Sequence, residues 1–308
     1  MASEPDSSVI EIATGIRRVV VYAMSDLHVD ESPNSVVLDR LVDELEGDSG
    51  SGSSSASGEP EAESAFRLAV VAGDVARRHE DVGAALLALV AVFDAVVYVP
   101  GNNELRLSSS ARGSGMLSTE AFEQARAAAA RAGAIVDTAI VGDVLVVPLA
   151  GWHSAHFDGG KHFTGDVAYQ RRFLDFRATR WPSSWPSASL DGAPDAAAEY
   201  FAQFNAGNMA AAKAVLQRRD KRISALITAS HFLPRLDVLP WRARTFMSSD
   251  VVKVIGDDRI EDQIRELHTE LDGEHGTAHV HVSGHVHINH NKVCEGVRYL
   301  LDVALVGR

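Results

Sequence analysis

"HVSGHVHINH", residues 281–290, sets four histidines in ten positions at the end of an alternating apolar run. A second stretch, "MSDLHVD" at 24–30, also closes an apolar run with an Asp and a His two positions apart. A lone histidine is more often a core or surface residue than a metal ligand, and Gly-Asp is a common turn pair, so neither motif is specific by itself. Their placement along the chain is. Short Val/Ile/Leu/Ala runs recur at 17–26, 66–74, 95–102, 144–152, 224–231, 278–285 and 297–306, which is the length and composition of buried strands. Helical patterns lie between them. One covers 33–46, with Ser32 as N-cap and Pro33 at the first helical position. Others cover 80–93, 118–132, and an amphipathic stretch with Ile260, Ile264, Leu267 and Leu271 on one face. Strand–helix alternation of this kind predicts an α/β layered domain.

Five of the predicted strands deliver Asp, Asn or His at their carboxyl ends. Asp26 and His28 follow the first, Asp74 the second and Asn102 the third; His231 closes the fifth, and His285 and His287 the sixth. That is the edge of an α/β sheet where ligands collect. Carboxylate and amide oxygens mixed with imidazoles suit Mn, Fe or Zn rather than a thiophilic metal. Seven such residues exceed the needs of one ion, so two metal ions sharing a bridging carboxylate is the economical expectation.

The ordered series "DLH" (26–28), "GDV" (73–75), "GNNE" (101–104), "SHFLP" (230–234) and "GHVH" (284–287) resembles the five-block signature of the calcineurin-like metallophosphoesterases. The longer stretches "YAMSDLHVD", "SHFLPRLDVLP" and "GHVHINH" resemble an uncharacterised branch of that superfamily. The resemblance implies a four-layer α/β sandwich, two mixed β-sheets flanked by helices, over residues 17–308. It implies that Asp26, His28 and His287 hold one metal, that Asn102, His231 and His285 hold the other, and that Asp74 bridges them. It further implies hydrolysis of a phosphodiester or an activated monoester in which a metal-bridging hydroxide attacks phosphorus in line. One position departs from the pattern. Many members have a histidine where this chain has Asn103, and that histidine contacts the substrate phosphate and protonates the leaving oxygen. An amide can donate a hydrogen bond to phosphate but gives up no proton near neutral pH. Members that replace this histidine include phosphodiesterases and also subunits that have lost catalysis. The alternative reading is therefore a metal-binding but catalytically weak scaffold that binds a protein partner through the same face. His153, as a substitute acid, and His156 and Arg235, as phosphate contacts, are the remaining candidates near the site.

Composition narrows the field. The chain of 308 residues is 46% hydrophobic and 23% charged, with 29 Lys plus Arg against 42 Asp plus Glu, a net −13. That balance belongs to a globular protein and disfavours nucleic-acid binding through a basic face. A small phosphoester is the expected partner. Cys294 is the single cysteine, which excludes an intrachain disulfide and a thiolate zinc site and suits a cytoplasmic compartment. The apolar window 82–101 is interrupted by Asp94 and ends in Pro-Gly, so it reads as helix, turn and strand rather than a membrane span.

Three segments stand apart. Residues 1–16 are acidic and lack the basic start and apolar core of a signal peptide, so a flexible N-terminus is expected. Residues 46–64, "EGDSGSGSSSASGEPEAES", are too poor in apolar groups to order themselves, so a disordered loop is expected. Residues 153–222 carry aromatics and then an Ala-rich helix over 195–220, read as an inserted cap. The tryptophans at 152, 181 and 185 are expected to form a small core of that cap. His279 and His281 are expected to face solvent from their strand, and His268 and His275 to lie on the surface.

Overall fold

In the computed structural model, residues 9–12, 18–50, 65–158, 172–185, 195–218, 222–271 and 276–301 are described. Most of the 1–16 segment, residues 51–64 of the predicted loop, His275 and the end of the last predicted strand lie outside them, as do 159–171, 186–194 and 219–221 of the predicted cap.

The elements run β1 (Ile10–Ile12), β2 (Val19–Met24), α1 (Asn34–Gly50), β3 (Phe66–Ala72), α2 (His79–Val92), β4 (Ala95–Val99), α3 (Asn102–Leu105), α4 (Ser109–Ser114), α5 (Ser118–Arg131), β5 (Ala139–Val141) and β6 (Val144–Pro148). They continue with α6 (Leu174–Ala178), α7 (Asp195–Phe204), α8 (Ala206–Leu216), β7 (Ala225–Ser230), α9 (Trp241–Phe246), α10 (Ser249–Val252), α11 (Asp258–Thr269), β8 (Ala278–Ser283), β9 (His290–Cys294) and β10 (Val297–Leu301). Among the described residues the strands make two sheets. One is three-stranded, β2-β3-β4, and wholly parallel. The other is seven-stranded, β1-β5-β6-β7-β8-β10-β9, with β6, β7, β8 and β10 parallel and antiparallel pairs at β5–β6 and β9–β10.

The two-residue period of β3 shows how the layers form. Phe66, Leu68, Val70 and Ala72 face a cluster shared with Val146 of β6, Ile227 of β7 and Val282 of β8, so the sheets pack face to face. Ala69 and Val71 face the other way, onto Leu38 of α1 and Leu86 and Leu89 of α2. The far side of the large sheet is covered by α7, α8 and α11 through Phe201, Met209, Ile260 and Ile264. Helix, sheet, sheet and helix form the four layers of an α/β sandwich.

Four expectations need correction. Helix α1 runs to Gly50, beyond the loop boundary expected at 46. The single helix expected over 195–220 is two, α7 and α8. They part at Asn205, whose fully buried amide bonds the Ala150 backbone in both directions at 2.9 Å. The tryptophans form no separate core. Trp152 belongs to the core beneath the large sheet, Trp181 packs edge-on against it at 5.1 Å, and Trp185 stacks on Trp181. His279 and His281 are buried, at 3% and 0% exposure. Strand β8 lies between β7 and β10 in the interior of the large sheet, and past its exposed first residue, Ala278, both of its histidines are covered. Among the described residues no helix is long and apolar enough to cross a membrane.

Candidate metal centre

Parallel strands bring their carboxyl ends to one edge, and the loops leaving β2, β3, β4, β7 and β8 meet there. Two groups of side chains converge: Asp26, His28 and His287, and Asp74, His231 and His285. The backbone is bent to achieve this. Asp26, His28, Asp74, His285 and His287 all have φ between +42° and +75°, a left-handed conformation that costs a non-glycine residue energy and is concentrated at functional sites.

Hydrogen bonds fix which ring atoms face inward. His231 donates from Nδ1 to the Ala72 carbonyl at 2.9 Å, and His285 donates from Nε2 to the Val254 carbonyl at 2.9 Å. A carbonyl only accepts, so in these tautomers His231 Nε2 and His285 Nδ1 carry lone pairs. These two atoms lie 3.2 Å apart, and the Asn102 Oδ1 acceptor sits 2.8 and 3.0 Å from them. Asp74 Oδ1 is 3.4 Å from His231 Nε2. Acceptors alone converge on this point, which is the chemistry of a cation site.

The second group is similar. His28 Nε2 and His287 Nε2 are 3.4 Å apart, and Asp26 Oδ1 lies 3.1 Å from the latter and 3.8 Å from the former. Asp26 Oδ2 accepts from the His285 backbone N–H at 2.9 Å, whereas the buried Oδ1 has no hydrogen-bond partner among the described residues. An orphaned buried carboxylate oxygen facing two imidazoles fits a metal. Asp74 reaches both groups, its Oδ2 lying 3.9 Å from His28 Nε2. His287 is exposed, so the site opens to solvent on that side.

Without metal, protons serve as the counter-charge. Burial would lower the pKa of His231, but Asp74 and Asp26 outweigh it and carry the imidazole up to about 10. Burial likewise opposes ionisation of Asp74, yet His231 draws the carboxyl down to about 2. Asp26 is held well below the usual carboxylate range, against its burial, by His28 and His287. His285 falls below its ordinary value through burial and the neighbouring His231 charge.

Close backbone approach makes the cluster compact. A Cβ on Gly101 would stand 2.2 Å from Asp74 Oδ1, and one on Gly284 would stand 2.4 Å from Asp26 Oδ2. Three residues not anticipated from the sequence hold the frame. Glu104, fully buried, accepts backbone N–H bonds from Gly101 at 2.8 Å and Val75 at 2.6 Å, and so pins the Asp74 loop to the Asn102 loop. Arg106 donates from Nε to Asp175 at 2.7 Å and from Nη1 to Asn103 Oδ1. Asp175 accepts from Asn102 Nδ2 at 3.1 Å. Glu104 stands inside the "GNNE" block, and Arg106 lies four residues past Asn102. Asp175 comes from 73 residues away with no local signal.

Of the other candidates, Asn103 lies within the cluster, while His153, His156 and Arg235 are engaged with other partners. Asn103 donates from Nδ2 to Asp74 Oδ2 and from its backbone N–H to Asp74 Oδ1 at 2.9 Å. His153 is fully enclosed against Trp152, Phe176 and Phe232, and burial pushes its pKa down to about 4. His156 is half-exposed and paired through Nδ1 with Asp195. Arg235 is spent on carboxylates, Asp237 at 2.6 Å and Glu261 at 3.1 Å, beside a cavity of about 490 Å³.

A solved structure with the same architecture is the crystal structure of phosphopantetheinyl hydrolase (PptH) from Mycobacterium tuberculosis. It is 17% identical, with a TM-score of 0.58 over 93% of this chain and 90% of that one. The fold is metallophosphoesterase-like. No protein-family model matches the sequence, and no curated protein matches it.

Proposed function

We propose that the chain is a metal-dependent phosphoesterase. The observation that carries this reading is the convergence of acceptor atoms on two points joined by Asp74, at the sheet edge where α/β proteins bind ligands. Asp26, His28 and His287 would hold one ion, Asn102, His231 and His285 the other, with Asp74 between them. Bound divalent or trivalent ions such as Mn, Fe or Zn supply positive charge for phosphoryl oxygens and acidify water at neutral pH.

The protein's own groups set the substrate. Asn103 spends its amide on Asp74 and Arg106 and has no proton to give a leaving alkoxide. Phosphodiesters and monoesters with phenol-like leaving groups are the expected substrates. The neighbour is named for a phosphopantetheinyl group, itself a phosphoester, so such esters belong among the compounds to test. The single cysteine suits the cytoplasm, and bound cations would offset the acidic charge, net −13, that an anionic phosphoester meets.

The test is hydrolysis of bis-p-nitrophenyl phosphate and p-nitrophenyl phosphate by metal-stripped protein re-supplied with Mn²⁺. Turnover that needs Mn²⁺ and is abolished by Asp74→Asn supports the reading, and diester preference supports the role given to Asn103. A second reading, the catalytically weak metal-binding scaffold, is favoured by the missing proton donor at position 103. An inert wild type with an active Asn103→His variant would select it.

A further inference from the structure

An asparagine side chain ligates a cation through its oxygen, while its NH₂ repels one. The usefulness of Asn102 to a metal therefore depends on which way its amide is turned, and the same holds for how Asn103 meets Asp74. We infer that one guanidinium, that of Arg106, fixes the sense of both amides, with Asp175 as its intermediary. The inference rests on the proposed ligand role of Asn102.

Arginine offers five N–H donors and no acceptor, and keeps its charge throughout the range of protein pH. Its Nε donates to Asp175 Oδ1 at 2.7 Å, an ion pair with Arg106 and Asp175 side-chain exposures of 18% and 6%. Asp175, paired in this way, can only accept. It accepts from Asn102 Nδ2, at 3.1 Å through Oδ1 and 3.3 Å through Oδ2. The Asn102 oxygen is thereby turned toward His231 Nε2 and His285 Nδ1. A flipped Asn102 would oppose its oxygen to a buried carboxylate and thrust N–H groups into the point where the lone pairs meet. Both contacts are repulsive, and both would be desolvated.

The second arm has the same logic. Arg106 Nη1 takes the Asn103 oxygen, which turns the Asn103 NH₂ onto Asp74 Oδ2. One donor-only group thus orders two chains of hydrogen bonds, one ending on the Asn102 oxygen beside His231 and His285 and the other on Asp74 Oδ2, the oxygen of the proposed bridge that faces His28. Helix α6, which carries Asp175, is tied beside α3 by the bond from Leu107 N to Ala178 O at 2.7 Å, so the carboxylate is held in place from its own side. Arg106 and Asp175 are positioning residues.

The experiment is Mn²⁺ titration of the metal-stripped full chain, read by calorimetry and electron paramagnetic resonance, for wild type, Arg106→Ala and the isosteric Asp175→Asn. Wild type is expected to take up two ions with the signature of a coupled pair. In each variant the ion beside Asn102, His231 and His285 should bind about 10–100-fold more weakly, the usual loss on removing a group that orients a ligand, while the other, which shares only Asp74 with these chains, should change less. The pair signal should be lost at Mn²⁺ concentrations that saturate wild type. A purely structural role would instead weaken both ions together with the melting temperature, and that result overturns the inference. Two ions bound at wild-type affinity in either folded variant also overturn it, and if Arg106→Ala fails to fold, Asp175→Asn decides. A wild type that binds fewer than two ions defeats the metal reading itself, before the variants are compared.

Discussion

In the proposed phosphoesterase Asn103 is the residue on which the chemistry would turn, because it stands against Asp74 at the position where the resemblance implies a proton-donating imidazole. General-acid help is worth about 10²–10⁴-fold, and most to the worst leaving groups. Asn103→His should therefore raise kcat on an alkyl phosphate by about 10²-fold or more while changing p-nitrophenyl ester turnover far less. Steady-state rates on the two esters check this, and equal effects on both would remove Asn103 as the cause of selectivity. Glycine is needed at position 101 for a different reason, since any Cβ there collides with Asp74. Gly101→Ala should destabilise the metal-free protein by about 1–3 kcal/mol, the usual cost of overpacking, measurable in urea. The proposed ligands were readable in the sequence because Asp, Asn and His recur at the ends of apolar runs. Arg106 and Asp175 were not, since their meeting depends on a fold that brings together residues 69 apart.

Strand β8 illustrates what an element's surroundings do to its residues. His279 and His281 alternate with valines, and a one-sided strand would present them to water. Inside a covered sheet they must bond to each other's neighbours instead. Ser230 donates to the Phe232 carbonyl at 2.7 Å, so it accepts from His281 Nε2 at 3.2 Å. His281 Nδ1 then accepts from Thr228 at 2.9 Å, Thr228 accepts from His279 Nε2 at 3.2 Å, and His279 Nδ1 accepts from His268 at 3.3 Å. Every proton in this chain has one consistent place with the rings of His279 and His281 neutral. Burial, with His268 and Arg265 facing His279, and with His279 facing His281, brings both pKa values down to about 3. The unfolded chain takes up these protons near pH 6.5 and the folded one only near 3, so between those values the unfolded state binds more protons and acid lowers stability. Two such groups give a slope of about 2.7 kcal/mol per pH unit. Urea titrations from pH 7 to pH 5 should show this contribution, and His281→Gln should remove about 1.4 kcal/mol per pH unit of it; a variant with the pH dependence of wild type would sink the idea. Three strands escaped sequence reading for related reasons. β1 and β5 have three residues each, too few to show a period, and β9, "HNKVC", is polar because it lies at the sheet edge.

Across the whole molecule, the proposed centre lies on the seam between the two sheets. Asp26, His28, Asp74 and Asn102 leave the small sheet, and His231, His285 and His287 leave the large one. Ions held there would tie the sheets to one another, so metal at 100 times its Kd should add about 2.7 kcal/mol to stability. Removing it with a chelator should lower the melting temperature by several degrees and Mn²⁺ should restore it; unchanged melting would mean no ion joins the halves. The α/β class and the four layers were legible from the alternation of runs and helices together with the resemblance. The division of strands between sheets was not, because a buried strand looks the same in either sheet. The seam also has a consequence for how the protein comes to be made. A ribosome releases Asn102 129 residues before His231, so a growing chain carries only the first half of the centre through much of its synthesis. Loading of the proposed ions would then be a late event that awaits the closing of the second sheet, so a cell short of them would hold full-length chains whose proposed centre is empty.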